Sequence, residues 1–174
     1  MNHNESVEAS PWVRRFSPLI PKPGLVLDLA CGGGRHSLYL AELGYSVIAV
    51  DQDISKIDSI ASERITAEQW DLELQTWPLE GRQFEGIVAT NYLYRPHLDQ
   101  LPQMLSPGGV LIYETFAQGN EAFGKPSNPN FLLKTGELLA LAASHGLKII
   151  AYEDIYQASP KPAMLQRICA LKAV

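Results

Sequence analysis

Val26-Leu27-Asp28-Leu29-Ala30-Cys31-Gly32-Gly33-Gly34-Arg35 is the stretch on which the fold turns. Leu25 to Ala30 is aliphatic apart from Asp28 and is bounded by Pro23-Gly24 before and three glycines after, the pattern of a short strand buried on both faces. Three consecutive glycines let the backbone turn sharply and bring its amides close to a ligand. From His36 to Leu43, Leu38, Leu40, Ala41 and Leu43 recur at helical spacing, and Gly44 stands where a helix stops. Ser46 to Asp51 (SVIAVD) follows as a second strand. A strand, loop, helix and strand within about thirty residues is the size of a parallel crossover, so the working architecture is a parallel sheet.

The alternation continues outward. A helix is predicted over Ile54 to Glu63, strands over Ile65 to Trp70 and Phe84 to Thr90, and a helix over Pro96 to Leu105, stopped by Ser106-Pro107-Gly108-Gly109. Val110 to Phe116 is a further strand, and Lys134 to Ser144 a helix ended near Gly146. Leu147 to Tyr156 and Leu165 to Leu171 are antiparallel neighbours across Ser159-Pro160-Lys161-Pro162. The expected fold is α/β: a doubly wound, mostly parallel seven-stranded sheet with an antiparallel last strand, one edge strand running against the rest. One domain over 1–174 is expected, residues 1–22 forming an N-terminal extension with a helix from Pro11 to Leu19. The long irregular stretch Ala117 to Asn130 carries Phe123 inside it and is flanked by Phe116 and Phe131. Apolar rings in a polar loop suit a cover over substrate, with Lys125 as a possible anion contact.

Composition sets the outer bounds. The 174 residues are 46% hydrophobic, enough to bury a core. No apolar run reaches the roughly 18 residues of a membrane span, and the polar N-terminus does not fit a secretory leader, so a cytoplasmic protein without membrane attachment is expected. Cys31 and Cys169 form no metal-ligand or disulfide pattern, and no metal is expected. A net charge of -5 weighs against a nucleic-acid footprint, which needs clustered Lys and Arg.

Open α/β sheets bind ligands at the carboxyl ends of their strands, which places Asp28 to Gly34, Asp51, Trp70 to Leu72, Thr90 to Arg95 and Glu114 to Gln118 together. Asp28 argues against a pyrophosphate there, because a fixed anion attracts a cation and repels a phosphate. A GxGxxG fingerprint counted from Gly32 and Gly34 meets Ser37 at its third glycine, which disfavours a nicotinamide-dependent oxidoreductase. Asp51 ends the second strand, where a carboxylate accepts both hydroxyls of a ribose, and Asp71 follows the third, where it can accept from an adenine amino group.

Val26 to Arg35 resembles motif I of the class I, Rossmann-like, S-adenosylmethionine-dependent methyltransferases, written D/E-x-G-x-G-x-G. Asp51 and Asp71 match that family's later acidic positions, and Leu105-Ser106-Pro107-Gly108-Gly109-Val110-Leu111 is similar to its L-x-P-G-G-x-L turn. The small tellurite-resistance-like methyltransferases are closest in flavour, since their motif I also runs into Arg and a Ser-Leu-Tyr-Leu helix, here Ser37 to Leu40. The resemblance implies S-adenosylmethionine as cofactor, S-adenosylhomocysteine as product, and in-line methyl displacement onto a small-molecule acceptor. Cofactor contacts are expected from Asp28, Ala30, Gly32, Gly34, Asp51, Gln52, Asp71, Leu72 and Asn91. Ala30 replaces the first motif glycine, which costs little if its backbone is extended, as expected here.

On the acceptor side the candidates are Tyr92, Tyr94, Arg95, Glu114 and Phe116, with Arg95 placed to hold an anion. Tyr92, Glu114 and His36 are the candidates for a general base. The alternative is a module that binds S-adenosylmethionine or S-adenosylhomocysteine without turnover, or that activates a partner subunit. The sequence does not distinguish a monomer from a homodimer.

Overall fold

The computed structural model describes residues 8–57, 60 and 62–174. Strands β1 (Leu25–Leu29), β2 (Ser46–Asp51), β3 (Ile65–Gln69), β4 (Phe84–Thr90), β5 (Leu105–Phe116), β6 (Lys148–Gln157) and β7 (Ala163–Leu171) form one sheet in the order β3-β2-β1-β4-β5-β7-β6. The first five pair in parallel; β7 runs antiparallel to both β5 and β6. The expected α/β sheet is therefore present with one correction: the reversed strand lies between β5 and β6 and is not an edge. A two-strand hairpin at the chain's end docks through β7, because β7 is mostly buried whereas no residue of β6 is.

Helices α1 (Pro11–Phe16) and α2 (Arg35–Glu42) cover one face, and α3 (Gln100–Gln103) and α4 (Glu137–Ser144) the other. The central strands alternate strictly between the two layers: Val26, Val88, Val110 and Ile112 face α1 and α2, while Leu27, Ile87, Leu111 and Tyr113 face α3 and α4. That is why these strands read as continuous apolar runs. Six residues of α1 have no helical stability of their own in water. The helix is held by buried Trp12, Val13 and Phe16, by Trp12 Nε1–H donating to the Ile168 carbonyl at 3.1 Å, and by Ser10, whose side chain caps the Trp12 N–H.

Two predicted helices are reduced. At the described positions of the stretch Ile54 to Glu63 there is no α-helix; Ser55 and Lys56 form a turn, and residues 58, 59 and 61 lie outside the described ones. The helix expected over Pro96 to Leu105 is a 3-10 turn at Arg95–His97 followed by the four-residue α3, and the chain is already in β5 by Leu105. Pro102, in the interior of the expected helix, lacks the amide hydrogen that a continuous helix needs there.

Candidate active site

The carboxyl ends of β1 to β5 form one rim. At the end of β1 the chain turns through Ala30 (φ 54°), Gly32 (φ 54°) and Gly34 (φ 84°), all left-handed. Ala30 thus departs from the extended conformation expected of it. The turn has to be that abrupt for the Cys31 N–H to reach the Val50 carbonyl at 3.0 Å while α2 starts at Arg35. Gly34 is fixed as glycine twice over, since an added Cβ would stand 2.8 Å from the Ile57 side chain on a left-handed backbone. An alanine at φ 54° carries roughly 1 kcal/mol of strain. Ala30→Gly is therefore expected to stabilise the fold by about 1 kcal/mol, read as a higher urea midpoint at unchanged m-value; an unchanged or lower midpoint would show that Ala30 is unstrained.

Asp51 is pre-oriented by the loop it faces. The Gly32 N–H donates to its Oδ2 at 2.9 Å and the Asp53 N–H to its Oδ1 at 3.1 Å. Asp28 is 1% exposed beneath the glycine turn, where its carboxylate accepts from the Ser37 hydroxyl at 2.6 Å. Burial pushes its pKa up to about 6 against the opposing Ser37 hydrogen bonds. Asp28 thus lies beneath the glycine turn and lines neither cleft described below.

Two of the clefts formed by the described residues meet on the rim. The first, of about 110 Å³, is lined by Ala30, Asp51, Gln52, Trp70, Asp71, Leu72, Glu73 and Tyr92. The second, of about 320 Å³, is lined by Glu73, Asn91, Tyr92, Leu93, Thr115, Phe116, Pro126 and Phe131. Glu73 and Tyr92 belong to both, so they mark the junction. The Tyr92 hydroxyl is buried and lacks a hydrogen-bond partner among the described residues. Burial and the neighbouring Glu73 and Asp71 charges hold its pKa far above the ordinary tyrosine value, so it stays a protonated donor. A buried donor left unpaired is costly and marks a place where a ligand can accept.

The first cleft suits S-adenosylmethionine. Its charged lining side chains are Asp51, Asp71 and Glu73, all anionic, which fits a ligand carrying an ammonium, a sulfonium and a ribose diol and does not fit a pyrophosphate. Asn91, expected beside the cofactor, lines the second cleft instead, on a left-handed backbone (φ 54°) with its N–H donating to the Glu114 carbonyl at 3.0 Å.

Several candidates for the acceptor side are otherwise engaged. His36 Nε2 accepts from the Ser10 N–H at 3.0 Å, so its proton sits on Nδ1, 3.4 Å from Thr90 Oγ1. Burial pushes its pKa down to about 4. It is a neutral, buried packing group with its basic lone pair occupied, and it lines neither cleft. The Glu114 carboxylate accepts from Ser10 Oγ at 2.7 Å and pairs with Arg167 at 2.9 Å, behind the cleft wall.

Arg95 is the largest departure. Its Nε–H and one Nη2–H bind the two Glu137 oxygens, each at 2.9 Å, and its other amine hydrogens go to the carbonyls of Pro129, Asn130 and Leu132. All five N–H groups of the guanidinium are committed, so it clamps the 117–133 segment to α4 and has none left for a substrate anion. Tyr94 donates to the Glu73 carbonyl at 3.4 Å and packs on the His97 ring. Of the loop aromatics, Phe116 and Phe131 wall the second cleft, while Phe123 packs on Tyr156 away from it; Lys125 is exposed and does not line it. Glu73 is the residue sequence reasoning missed. It lies two positions past Asp71 in a segment without periodicity, and the one available signal was its place just after the third strand.

The family of tellurite resistance protein TehB matches residues 4–94, just over half of the chain. Among curated proteins, the tRNA U34 carboxymethyltransferase of Methylococcus capsulatus is 31% identical over 123 residues, covering 64% of this chain and 38% of that protein. The chain spans less than half the length of the curated relatives it matches. Among solved structures, TehB from Haemophilus influenzae superposes with a TM-score of 0.73 at 20% identity, covering 98% of this chain and 64% of that one. The 1,6-didemethyltoxoflavin-N1-methyltransferase of Burkholderia thailandensis, solved with 1,6-didemethyltoxoflavin and S-adenosylhomocysteine bound, superposes with a TM-score of 0.71 at 19% identity, covering 98% and 80%. The glycine turn of β1, the acidic ends of β2 and β3 and the family match together place the chain in the TehB family of class I S-adenosylmethionine-dependent methyltransferases.

Proposed function

We propose that the chain transfers the methyl group of S-adenosylmethionine to a small-molecule acceptor, acting as one domain over 1–174 in the cytoplasm. The observation that carries this reading is the junction of the two clefts at Glu73 and Tyr92, one cleft suited to a cationic nucleoside and the other open to a second molecule. No helix among the described residues is long and apolar enough to cross a membrane. The net charge of -5 and the acidic rim favour a small acceptor over an RNA, even though relatives are named for RNA substrates.

Asp51 and Asp71 are assigned to the ribose and the adenine, Leu72 and Trp70 to the faces of the ring, and the glycine turn to the amino-acid end of the cofactor, above the Asp28 field. Once bound, the cofactor supplies an electrophilic methyl on a sulfonium. The protein's part is positioning: Tyr92 and the walls of the second cleft set the acceptor against that methyl and exclude water. With His36 and Glu114 engaged elsewhere, no strong base faces the acceptor, which suits a nucleophile that is reactive in its resting protonation state.

Calorimetric titration of the purified protein with S-adenosylmethionine, S-adenosylhomocysteine and NAD tests the reading. Micromolar binding of the first two and none of NAD is expected; the reverse would overturn it. Binding without any S-adenosylhomocysteine formed across an acceptor screen would favour the non-catalytic module. Asp51→Ala is expected to weaken cofactor binding by about 1–3 kcal/mol, roughly 5- to 150-fold, through lost charge-assisted hydrogen bonds. An unchanged Kd in a folded variant would place the ribose elsewhere.

A further inference from the structure

We infer that the acceptor is a flat, uncharged or cationic aromatic nitrogen compound, and that Glu73 selects it; this rests on the methyl-transfer reading above. The second cleft is lined by Tyr92, Leu93, Phe116, Pro126 and Phe131, a mostly aromatic and apolar wall of the kind on which a flat aromatic body packs. Its wall is not loose. Arg95 bonds the carbonyls of Pro129, Asn130 and Leu132, the residues on either side of Phe131, and ties them to Glu137 in α4. Phe131 is 47% exposed yet held in place, a large apolar face kept available at the mouth of a cleft.

The charge pattern decides the acceptor's sign. Among the described residues that line the cleft, Glu73 alone is charged, and it sits where the two clefts meet, with Asp51 and Asp71 lining the first cleft beyond it. Among the described residues, Arg95 is committed as above, and Arg167 to Glu114 and Glu153 at 2.9 and 2.6 Å, its guanidinium over the Trp12 ring. Neither Lys125 nor Lys134 lines the cleft. An oxyanion or carboxylate seated here would lose water, meet no cationic side chain among the described lining residues and face the Glu73 carboxylate, with Asp51 and Asp71 in the adjoining cleft. A neutral nitrogen meets the opposite situation, because its positive charge develops next to Glu73 as it is methylated. The nitrogen lone pair forms the new bond to carbon, the carbon–sulfur pair stays on sulfur as the neutral thioether, and the surplus proton on nitrogen passes to the Glu73 carboxylate and then to water.

The test uses benzimidazole, benzimidazole-5-carboxylate and sodium tellurite as probes, titrated calorimetrically into the whole protein with and without saturating S-adenosylhomocysteine. Turnover with S-adenosylmethionine is followed in parallel. Benzimidazole is expected to bind at least fivefold more tightly than its carboxylate, tellurite not to bind, and Glu73→Lys to reverse the order of the first two. Equal or tighter binding of either anion, an order unmoved by Glu73→Lys, or no benzimidazole binding at millimolar concentration would overturn the inference. Failure of S-adenosylhomocysteine itself to bind would instead strike the methyl-transfer reading, while the ratio measured on the protein alone still decides the acceptor's charge.

Discussion

Arg95→Ala is expected to lower the melting temperature by on the order of 10 °C and to abolish acceptor binding, while the protein still binds S-adenosylhomocysteine. The substitution removes five hydrogen bonds at once: two to Glu137 and three to the carbonyls of Pro129, Asn130 and Leu132. The pair is partly buried, with side-chain exposures of 29% for Arg95 and 18% for Glu137, so its effect lies between that of a surface and a buried ion pair. Burial alone would push the Glu137 carboxyl up, but hydrogen bonds from Arg95 and from the Lys134 N–H outweigh it and hold the carboxyl below its ordinary value. Without the guanidinium, a half-buried carboxylate and three carbonyls lose their partner, a loss of about 2–4 kcal/mol after discounting for solvent. At 2–4 °C per kcal/mol for a domain of this size, that gives the expected shift.

The functional half of the prediction follows from what the clamp holds. Phe131 and Pro126 leave the second cleft when the 117–133 segment is released, whereas Asp51, Asp71 and the glycine turn are supported by β1 to β3 and stay. Arg95→Lys should recover only part of the stability, since an ammonium has three donors and no planar fork. An Arg95→Ala variant as stable as the parent, impaired only toward anionic acceptors, would return the residue to a direct role in substrate binding.

Arg95 also shows where sequence reading reaches its limit. The β1-turn-α2-β2 unit is legible because its determinants are local: an apolar run, three glycines, a helical spacing and a stop glycine within Leu25 to Asp51. Asp51 and Asp71 follow from that topology, because a residue at the end of a parallel strand has to stand on the rim. What a charged rim residue does depends on partners far along the chain. The partners of Arg95 come from 34 to 42 positions away, Arg167 lies 53 from Glu114, and Ser10 lies 26 from His36. Arg95, Glu114 and His36 are candidates on sequence alone because nothing in their own neighbourhood shows the partner. The helix expected over Ile54 to Glu63 failed for the opposite reason, an apolar spacing over Ile54, Ile57 and Ile60 that is met by turns packing on the sheet. Antiparallel pairing of the last two strands was legible from their turn, but the insertion of β7 beside β5 was not, because pairing order is a tertiary outcome.

Asp28→Asn is expected to become more stable relative to the parent as pH rises, by about 2 kcal/mol between pH 4 and 7, and to bind S-adenosylmethionine more weakly. The folded protein holds the Asp28 proton up to about pH 6, whereas the unfolded chain releases it near 3.8. Between those values the folded state binds more protons, so the parent loses stability as pH rises through the window. A difference of about two units corresponds to roughly 3 kcal/mol, all of it present as a penalty above pH 6. Asparagine carries no charge and its Oδ1 still accepts from Ser37, so the penalty disappears while the packing is kept. His36 runs the other way, with a folded value near 4 against 6.5, so its own contribution is lost as pH falls through that range. The histidine is present in both proteins, which removes its slope from the difference. Melting curves at pH 4, 5.5 and 7 read the stability term, and calorimetry at pH 7.5 reads the affinity. The weaker binding is expected because the field of a carboxylate under the glycine turn would favour a cationic ligand above it. A flat stability difference would show that Asp28 ionises at its ordinary value. An Asn variant that gains stability and keeps full affinity would show that the cofactor is held by the rim alone.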